Sequence, residues 1–469
     1  MNLLFPLSEI LKYKKIRAGV LLLLATALIL FCFPAAAETN VYDNLFGNPE
    51  MNALIDANHE EVVKNGYAEL RIPESVHQIP VEFIDPNAMG AAQVLLDAGY
   101  EVYIIGGAVR DLVMNVRSSD FDLSTNATIE QQIELFGDML TFHPVGEYQF
   151  GFLHYADEIV DLATTLNIPA FFYGMPGVPD FDPDQLYSDN YLFDSFERDL
   201  TINAIYYDVK THELVTYHGG LYDLREGVLD TIGDPDVKLT GNPTAAVRAL
   251  RFRARFNAVF SDRLEEAMRA NAPVYISLVA PESNAFNMPR FFVNGYAVSC
   301  LNTLADYGVF TQIFAPVAEK YKTAEYKEYL MAAMNWMDEW YAGGNLMEDE
   351  LPLAAILWPL VAEEKDGLSI AERSAALFDI QNKTITIDDH STEKIIEIYE
   401  LQEKLTEAAG SAEAAEIMQA AQFENAYELL MIRACTDSSL ANAAAFWTEM
   451  RETVMADPDE EENELAPAA

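Results

Sequence analysis

Positive charge is scarce in this sequence. Only 29 of its 469 residues are Lys or Arg, against 75 Asp or Glu, and the formal net charge is −46. A field of that sign repels phosphate backbones, whereas nucleic-acid binding usually depends on basic surface. Any function that involves RNA has to be reconciled with this charge.

Cysteine and histidine are also scarce, with three and seven residues. No Cys/His cluster has the spacing of zinc ligands, so we predict no zinc site. Cys300 and Cys435 lie in apolar helical patterns, and we expect buried thiols; a disulfide in an oxidising compartment is the alternative. The chain has no internal repeat of fixed period.

The N-terminus has the pattern of an export signal. Lysines and an arginine at positions 12–17 precede an apolar run from Ala18 to Phe33, and Ala35–Ala37 supply an A-x-A cleavage pattern. The run is short for a membrane span, so we predict a cleaved signal over residues 1–37, with an uncleaved anchor as the alternative. The protein is therefore expected in the periplasm or outside the cell.

Composition and periodicity divide the rest of the chain. The predicted sections are a polar leader (38–80), an α/β section (81–235), a helical neck (236–290), a helical body and tail (291–456) and an acidic disordered tail (457–469).

Within the α/β section several elements have local signals. Thr128 and Gln131 form a capping box at a helix start. The other predicted elements are a helix over Ala88–Ala98, strands over Glu101–Ile105, Phe121–Leu123 and Glu158–Leu162, and a hairpin around Val209–Val215.

Asp120 and Asp122 stand two residues apart in the stretch SDFDLSTNAT. Side chains two apart on a strand point to one face, and two carboxylates at that distance repel unless a cation lies between them. Mg²⁺ suits such a pair, and Asp161, in IVDLATT, has the right type and setting for a third ligand. In a chain with 75 acidic residues, an ordinary solvated acidic surface is the alternative.

A strand–turn–helix unit precedes this pair. Gly106 and Gly107 would let the backbone approach a phosphate, the following helix start offers N–H groups, and Arg110 adds a charge that can meet a triphosphate. An ordinary tight turn is the alternative for the glycines.

These motifs together resemble the tRNA nucleotidyltransferase and bacterial poly(A) polymerase family. GGAVRDLVMNVRSSDFDLSTNAT resembles its head motif, DSFERDLTINAIYYD its RRDFTINA motif, and NPTAAVRALRFRARF its neck motif. GGLYDLREGVLDTIGDP is similar to the linker segment between the last two, and PRFFVNGYAVSCLNTLADYGVF to the helical body of the poly(A) polymerase branch. The resemblance covers roughly residues 93 to 450.

The resemblance implies a fold, a chemistry and a set of site residues. The fold would be α+β, with a mixed sheet in a nucleotidyltransferase head followed by an all-helical neck, body and tail. The activity would be template-independent addition of nucleotides, with ATP as substrate, to RNA 3′ ends, with two Mg²⁺ ions, in a monomer. The implied metal ligands are Asp120, Asp122 and Asp161, with Asp199 as a further catalytic residue. The implied nucleotide-binding residues are Gly106, Gly107, Arg110, Asp111, Arg198, Asn203, Arg248 and Arg251.

The sequence departs from the family pattern at several places. Glu197 replaces the first arginine of RRDF, and the base-reading E-D-x-x-R reads Gly241-Asn242-Pro243-Thr244-Ala245. The basic segments expected near residues 147 and 388 are acidic or neutral, which removes phosphate contacts that RNA needs.

Three hypotheses therefore stand: an RNA 3′-end nucleotidyltransferase, which we favour; an exported transferase with another acceptor; and a non-enzymatic exported relative.

Overall fold

The computed structural model describes residues 45–116, 118, 120–145, 148–155, 158–363, 367–410 and 413–455. The predicted export signal, the acidic tail and Glu147 lie outside these ranges. Among the helices within them, none has the length and apolar character needed to cross a membrane.

A mixed sheet of eight strands forms the head, as the resemblance implied. Its spatial order is β1-β8-β7-β2-β3-β6-β5-β4, and of its neighbouring pairs β3 and β6 run parallel while the others run antiparallel. Two further short strands, β9 and β10, pair in parallel. The strands are β1 (Leu70–Ile72), β2 (Val102–Ile105), β3 (Asp122–Thr125), β4 (Leu140–Val145), β5 (Tyr148–His154), β6 (Ile159–Thr164), β7 (Ile205–Asp208), β8 (Glu213–Thr216), β9 (Val228–Leu229) and β10 (Val259–Phe260).

The central strands follow the predicted pattern with small shifts. Strand β2, VYII, is β-branched and aromatic and buried along its whole length, as a strand with packed faces requires. Strand β3 begins at Asp122 rather than at Phe121. Asp120 therefore precedes the strand, and the period-two argument for the Asp120–Asp122 pair was wrong in this detail.

Among the described residues, seven α-helices accompany the sheet. The predicted capping box is confirmed: the Thr128 hydroxyl accepts from the Gln131 N–H, and the Gln131 side chain accepts from the Thr128 N–H. The head helices are α1 (Pro49–Asn65), α2 (Glu74–His77), α3 (Pro86–Asp97), α4 (Gly107–Val113), α5 (Ile129–Phe136), α6 (Tyr191–Ser195) and α7 (Gly220–Glu226).

The segment expected to be a polar leader is part of the head, which corrects that prediction for its described residues. Asn48 caps the start of α1 by accepting from the Glu50 N–H, and Gly66 caps its C-terminus. Met51 and Ile55 are buried in the head core, and β1 pairs with β8. The helix is polar on most of its surface, so its few buried residues produced no clear apolar period.

The remaining helices form the neck and body around a second core that runs from Leu200 to Trp447. This confirms the predicted α+β class. The helices are α8 (Pro235–Gly241), α9 (Thr244–Phe256), α10 (Asp262–Ser277), α11 (Pro281–Asn287), α12 (Ala297–Asp306), α13 (Phe310–Ile313), α14 (Ala324–Ala342), α15 (Glu350–Val361), α16 (Ile370–Gln381), α17 (Asp389–Glu407), α18 (Ala414–Ile417), α19 (Phe423–Ala434) and α20 (Ala441–Met455).

The two cysteines of this region differ in exposure. Cys300 is buried, as expected, but Cys435 is exposed just after α19, so the prediction of two buried thiols was wrong for Cys435.

Candidate active site

Sheet register brings Asp122 and Asp161 to neighbouring positions. Leu123 on β3 is opposite Leu162 on the parallel strand β6, so the two aspartates, each one residue earlier, lie side by side. Laterally adjacent residues point to the same face of a sheet. Both carboxylates therefore project together at the start of their strands.

Gly106 lies against this pair at the end of β2. Ile105 is opposite Asp122 in the antiparallel register, and a Cβ at Gly106 would lie 3.5 Å from Asp122 Oδ2. Gly106 has φ +74°, a conformation that glycine adopts without the steric cost of a side chain. The turn thus keeps the backbone close to the carboxylate.

The three predicted carboxylates influence one another electrostatically. Burial raises the pKa of Asp122 to about 7, with further contributions from Asp120 and Asp161, while Arg198 opposes the shift. Burial and Asp120 likewise raise the pKa of Asp161. Asp120 itself is exposed and joins the group from the loop before β3. We call Asp120, Asp122 and Asp161 the acidic trio.

The acidic trio is an open group rather than a closed chelate. In the part of the chain that the structure describes, no three His, Cys, Asp or Glu side chains converge as ligands of one ion. The donor set still fits a hard cation, because the pKa values of Asp122 and Asp161 are raised and a divalent ion would stabilise these carboxylates in the ionised form. Mg²⁺ would be held by oxygen atoms of these residues.

A second cluster joins the head to the neck. The buried Arg110 donates to Asn203 Oδ1 (2.5 Å) and Asp111 Oδ1 (2.9 Å), and Asn203 donates to Asp199 Oδ1 (2.9 Å). Arg248 Nε lies 2.8 Å from Asp199 Oδ2 without hydrogen-bond alignment, so that contact is electrostatic. Arg110 is thus held by two residues of the head, and its predicted contact with a triphosphate stays a prediction.

Charge within this cluster is balanced around Asp199. Burial opposes ionisation of Asp199, but Arg248 and hydrogen bonds from Asn203 and the Leu200 N–H outweigh it and hold the pKa below its ordinary value. Asp199 therefore remains ionised in the head–neck junction.

Arginines gather on the neck near this junction. Burial and the like charges of Arg290, Arg255 and Arg248 lower the pKa of Arg251, although Tyr296 opposes them. Arg248, Arg251 and Arg255 belong to one helix, α9. This positive group, in a chain of charge −46, is suited to attract a polyanion such as a triphosphate.

Arg198 links the acidic trio to a buried carboxylate that sequence reasoning missed. Asp194 is fully buried and accepts from Arg198 (2.7 Å), the Tyr206 hydroxyl (2.8 Å) and the Leu166 N–H (2.9 Å). Arg198 in turn favours the ionised form of Asp122. The only local signal was the i, i+4 spacing of Asp194 and Arg198, which any exposed helical ion pair shares.

Lys238 is a second residue that sequence reasoning missed. It is fully buried and donates to the carbonyl oxygens of Phe196 (2.7 Å) and Glu197 (3.4 Å). Burial lowers its pKa to about 8, and Asp199 and Glu197 partly oppose that shift. It ties α8 to the segment that carries Arg198.

Two family models match separate segments of the chain. Residues 102–230 match the family described as the Poly A polymerase head domain, and residues 364–468 match the Polymerase A arginine-rich C-terminus. The chain therefore contains a segment that matches the poly(A) polymerase head and one that matches the C-terminal family, in agreement with the sequence motifs. The relatives it resembles, poly(A) polymerases and CCA-adding enzymes, are nucleotidyltransferases.

Curated poly(A) polymerases align with most of the chain, and a CCA-adding enzyme aligns with about half of it. Poly(A) polymerase I of Salmonella typhi is 27% identical over 411 residues, which covers 81% of this chain and 85% of the relative. Poly(A) polymerase I of Escherichia coli O157:H7 is 27% identical and covers 83% of this chain and 87% of the relative. The CCA-adding enzyme of Geobacillus sp. is 26% identical over 48% of this chain and 53% of the relative.

Solved family structures share the fold. The Bacillus stearothermophilus CCA-adding enzyme, solved in complex with CTP, has a TM-score of 0.58 and 19% identity, and covers 82% of this chain and 86% of that one. The Thermotoga maritima CCA-adding enzyme, complexed with tRNA, has a TM-score of 0.53 and 17% identity, and covers 81% and 85%. At this identity the likeness concerns the fold alone.

The segment that matches the arginine-rich family has few arginines here. It contains Arg373, Arg433 and Arg451. Arg433 donates to Gln402 (2.8 Å), Arg451 to Glu424 (2.7 Å) and Arg373 to the Glu363 carbonyl (2.8 Å). All three therefore make contacts within the body.

Proposed function

We propose that this protein is a template-independent nucleotidyltransferase that adds nucleotides, with ATP as a substrate, to RNA 3′ ends and releases pyrophosphate. The observation that carries the proposal is the register of Asp122 and Asp161 on adjacent strands beside Gly106, inside a matched poly(A) polymerase head domain. In-line attack of the RNA 3′-hydroxyl on the α-phosphate of the triphosphate is the proposed reaction.

Two Mg²⁺ ions, when bound by the acidic trio, would supply activation of the attacking oxygen and stabilisation of the leaving group. The residues of the chain supply the remaining parts. Gly106 leaves space for the triphosphate beside Asp122, and the arginines of α9 offset its negative charge. The Asp199–Arg248 contact fixes α9 against the head.

Two kinds of acceptor are candidates. RNA is the acceptor that the similarity to poly(A) polymerases favours. The second candidate is an acceptor without a long phosphate backbone. It is favoured by the net charge of −46 and by Arg373, Arg433 and Arg451, which already contact groups within the body. Mass spectrometry of protein and small-molecule acceptors after incubation with labelled triphosphates distinguishes the two candidates.

The experiment is an extension assay with purified chain, Mg²⁺, each of the four triphosphates and a short RNA. We expect 3′ extension that falls at least 100-fold in Asp122→Asn and Asp161→Asn, because each removes one carboxylate charge from the trio. Asp138→Asn, at an exposed aspartate of the head, is the matched control. Extension that is retained in both trio variants would refute the proposed site.

We also propose that the protein is exported, on the basis of the predicted signal over residues 1–37. Fractionation of cells that express the full chain, with N-terminal sequencing of the product, tests both export and cleavage. Recovery of the intact chain in the cytoplasm alone would contradict export.

A further inference from the structure

Two adjacent phenylalanines pack against two glycines that lie near the two ends of α8. Phe171 and Phe172 lie in a 3-10 turn, Ala170–Phe172, that follows β6. A Cβ at Gly241 would come within 2.5 to 2.7 Å of the Phe171 ring, and a Cβ at Gly233 within 2.5 Å of the Phe172 ring. Each ring therefore occupies space that a side chain at the facing position would need.

The two rings differ in burial, and the difference points to separate roles. Phe172 is fully buried and contacts Phe196 edge to face, with centroids 5.9 Å apart. Phe171 keeps 37% of its surface exposed although it contacts Phe172 and Gly241. Core packing accounts for Phe172, whereas Phe171 presents an aromatic surface to solvent.

The position of Phe171 connects it with the charged residues of the active site. Lys238 Nζ lies 5.8 Å from the centroid of the Phe171 ring. Lys238 Nζ also donates to the carbonyl oxygens of Phe196 and Glu197, which directly precede Arg198 in the chain. Phe171 therefore lies close to the segment that carries Arg198, one of the predicted nucleotide-binding residues.

Two positions near the junction of α8 and α9 carry no group that could read the edge of a base. Gly241, at the end of α8, has no side chain, and Ala245, near the start of α9, is buried and apolar. A site without matched donors and acceptors discriminates weakly between bases that differ only in those groups. The half-exposed ring of Phe171 is the feature of this turn that can contact a base.

We propose that Phe171 is a specificity-determining residue on which the base of the incoming nucleotide stacks, so that the chain prefers purine over pyrimidine nucleotides and separates ATP from GTP poorly. This inference rests on the proposed function, because it places the triphosphate at the acidic trio. Stacking acts through ring area rather than through hydrogen-bonded edges, which is why it tolerates different purines.

The test is a calorimetric titration of the full chain with ATP, GTP, CTP and UTP in the presence of Mg²⁺. We expect the purine nucleotides to bind more tightly than the pyrimidine nucleotides, and ATP and GTP to differ less than about 10-fold. Phe171→Ala should weaken purine binding by about 5- to 100-fold and abolish the purine preference, since one stacked base is lost. Phe171→Trp should retain the preference.

Tyr173→Ala is the matched control. Tyr173 lies two residues further along and is 64% exposed, and its ring contacts Phe181 edge to face at 5.9 Å. Its removal should leave all four dissociation constants unchanged. Thermal unfolding of each variant separates a loss of packing, which lowers Tm without changing the ratio of purine to pyrimidine affinity, from the loss of a stacking surface.

The outcomes distinguish a failure of the stacking role of Phe171 from a failure of the proposed nucleotidyltransferase function. An unchanged purine-to-pyrimidine ratio in Phe171→Ala, or a preference of ATP over GTP above about 100-fold in the wild type, overturns the inference. Selective binding without RNA extension overturns the proposed transfer but not the stacking role. Extension with unaltered base preference in Phe171→Ala overturns the stacking role alone, and failure to bind any triphosphate overturns both.

Discussion

Glu428 provides a quantitative test of the body packing. It lies on α19 with only 4% of its surface exposed, and its Oε2 accepts from Trp336 Nε1 at 2.5 Å. Its Oε1 is buried, with no hydrogen-bond partner among the described residues. An ionised carboxylate in this position is poorly solvated, so ionisation should destabilise the fold.

The size of the expected loss of stability follows from the pKa of Glu428. Burial raises the pKa of Glu428 from 4.5 to about 7, although Trp336 and Arg451 oppose the shift. Because the folded pKa lies above the unfolded one, the stability from protonated Glu428 is fully present below pH 4.5. It is lost as the pH rises through 7. Between pH 5 and pH 8 the loss is about 2.5 kcal/mol.

Urea unfolding of the wild type and Glu428→Gln at pH 5 and pH 8 measures this loss. Glutamine keeps an acceptor for Trp336 but does not ionise, so the variant should gain about 2.5 kcal/mol relative to the wild type between the two pH values. The exposed Glu403→Gln on α17 controls for the change in net charge. The reasoning would be refuted if the free energies of unfolding of wild type and variant differed by the same amount at both pH values.

Features that depend on short-range signals could be predicted from the sequence. The Thr128 capping box needs only two residues three apart, and the strand that carries Asp161 is marked by its apolar run. The neighbouring placement of Asp122 and Asp161 was implied by the family motifs, and the sheet register agrees with it. Asp120 contributes to the acidic trio, but from a loop and not from the strand.

Features fixed by contacts between distant segments could not be predicted. The Leu166 N–H and the Tyr206 hydroxyl reach Asp194 from outside its helix. Helix α1 is polar along most of its length and is held by a few buried residues and by the pairing of the nearby strand β1. The sequence does not distinguish Lys238 from a surface lysine, because its partner, the carbonyl oxygen of Phe196, lies far away in the chain. The hydrophobic periodicity of the sequence does not reveal which distant segments contact each other.

Three further substitutions test the active-site geometry. Gly106→Ala should destabilise the fold by about 1 to 2 kcal/mol, because Gly106 has φ +74°, and should lower RNA extension; unchanged stability in thermal unfolding would contradict this. The free energy of unfolding of the wild type, relative to that of Lys238→Met, should rise by about 2.5 kcal/mol from pH 7 to pH 10. The reason is that the pKa of Lys238 is lowered from 10.5 to about 8, and burial penalises its charge only while it is protonated. Urea unfolding over this pH range that shows the opposite trend would refute the proposed cost of burying the charged Lys238 side chain. Arg248→Ala should destabilise the fold by about 2 kcal/mol, because it leaves the buried Asp199 carboxylate without its cation. If the unpaired carboxylate is the cause, Asp199→Asn should lower the free energy of unfolding less in the Arg248→Ala background than in the wild type. Strictly additive free energies of unfolding in this double-mutant cycle would show that the two residues are not coupled.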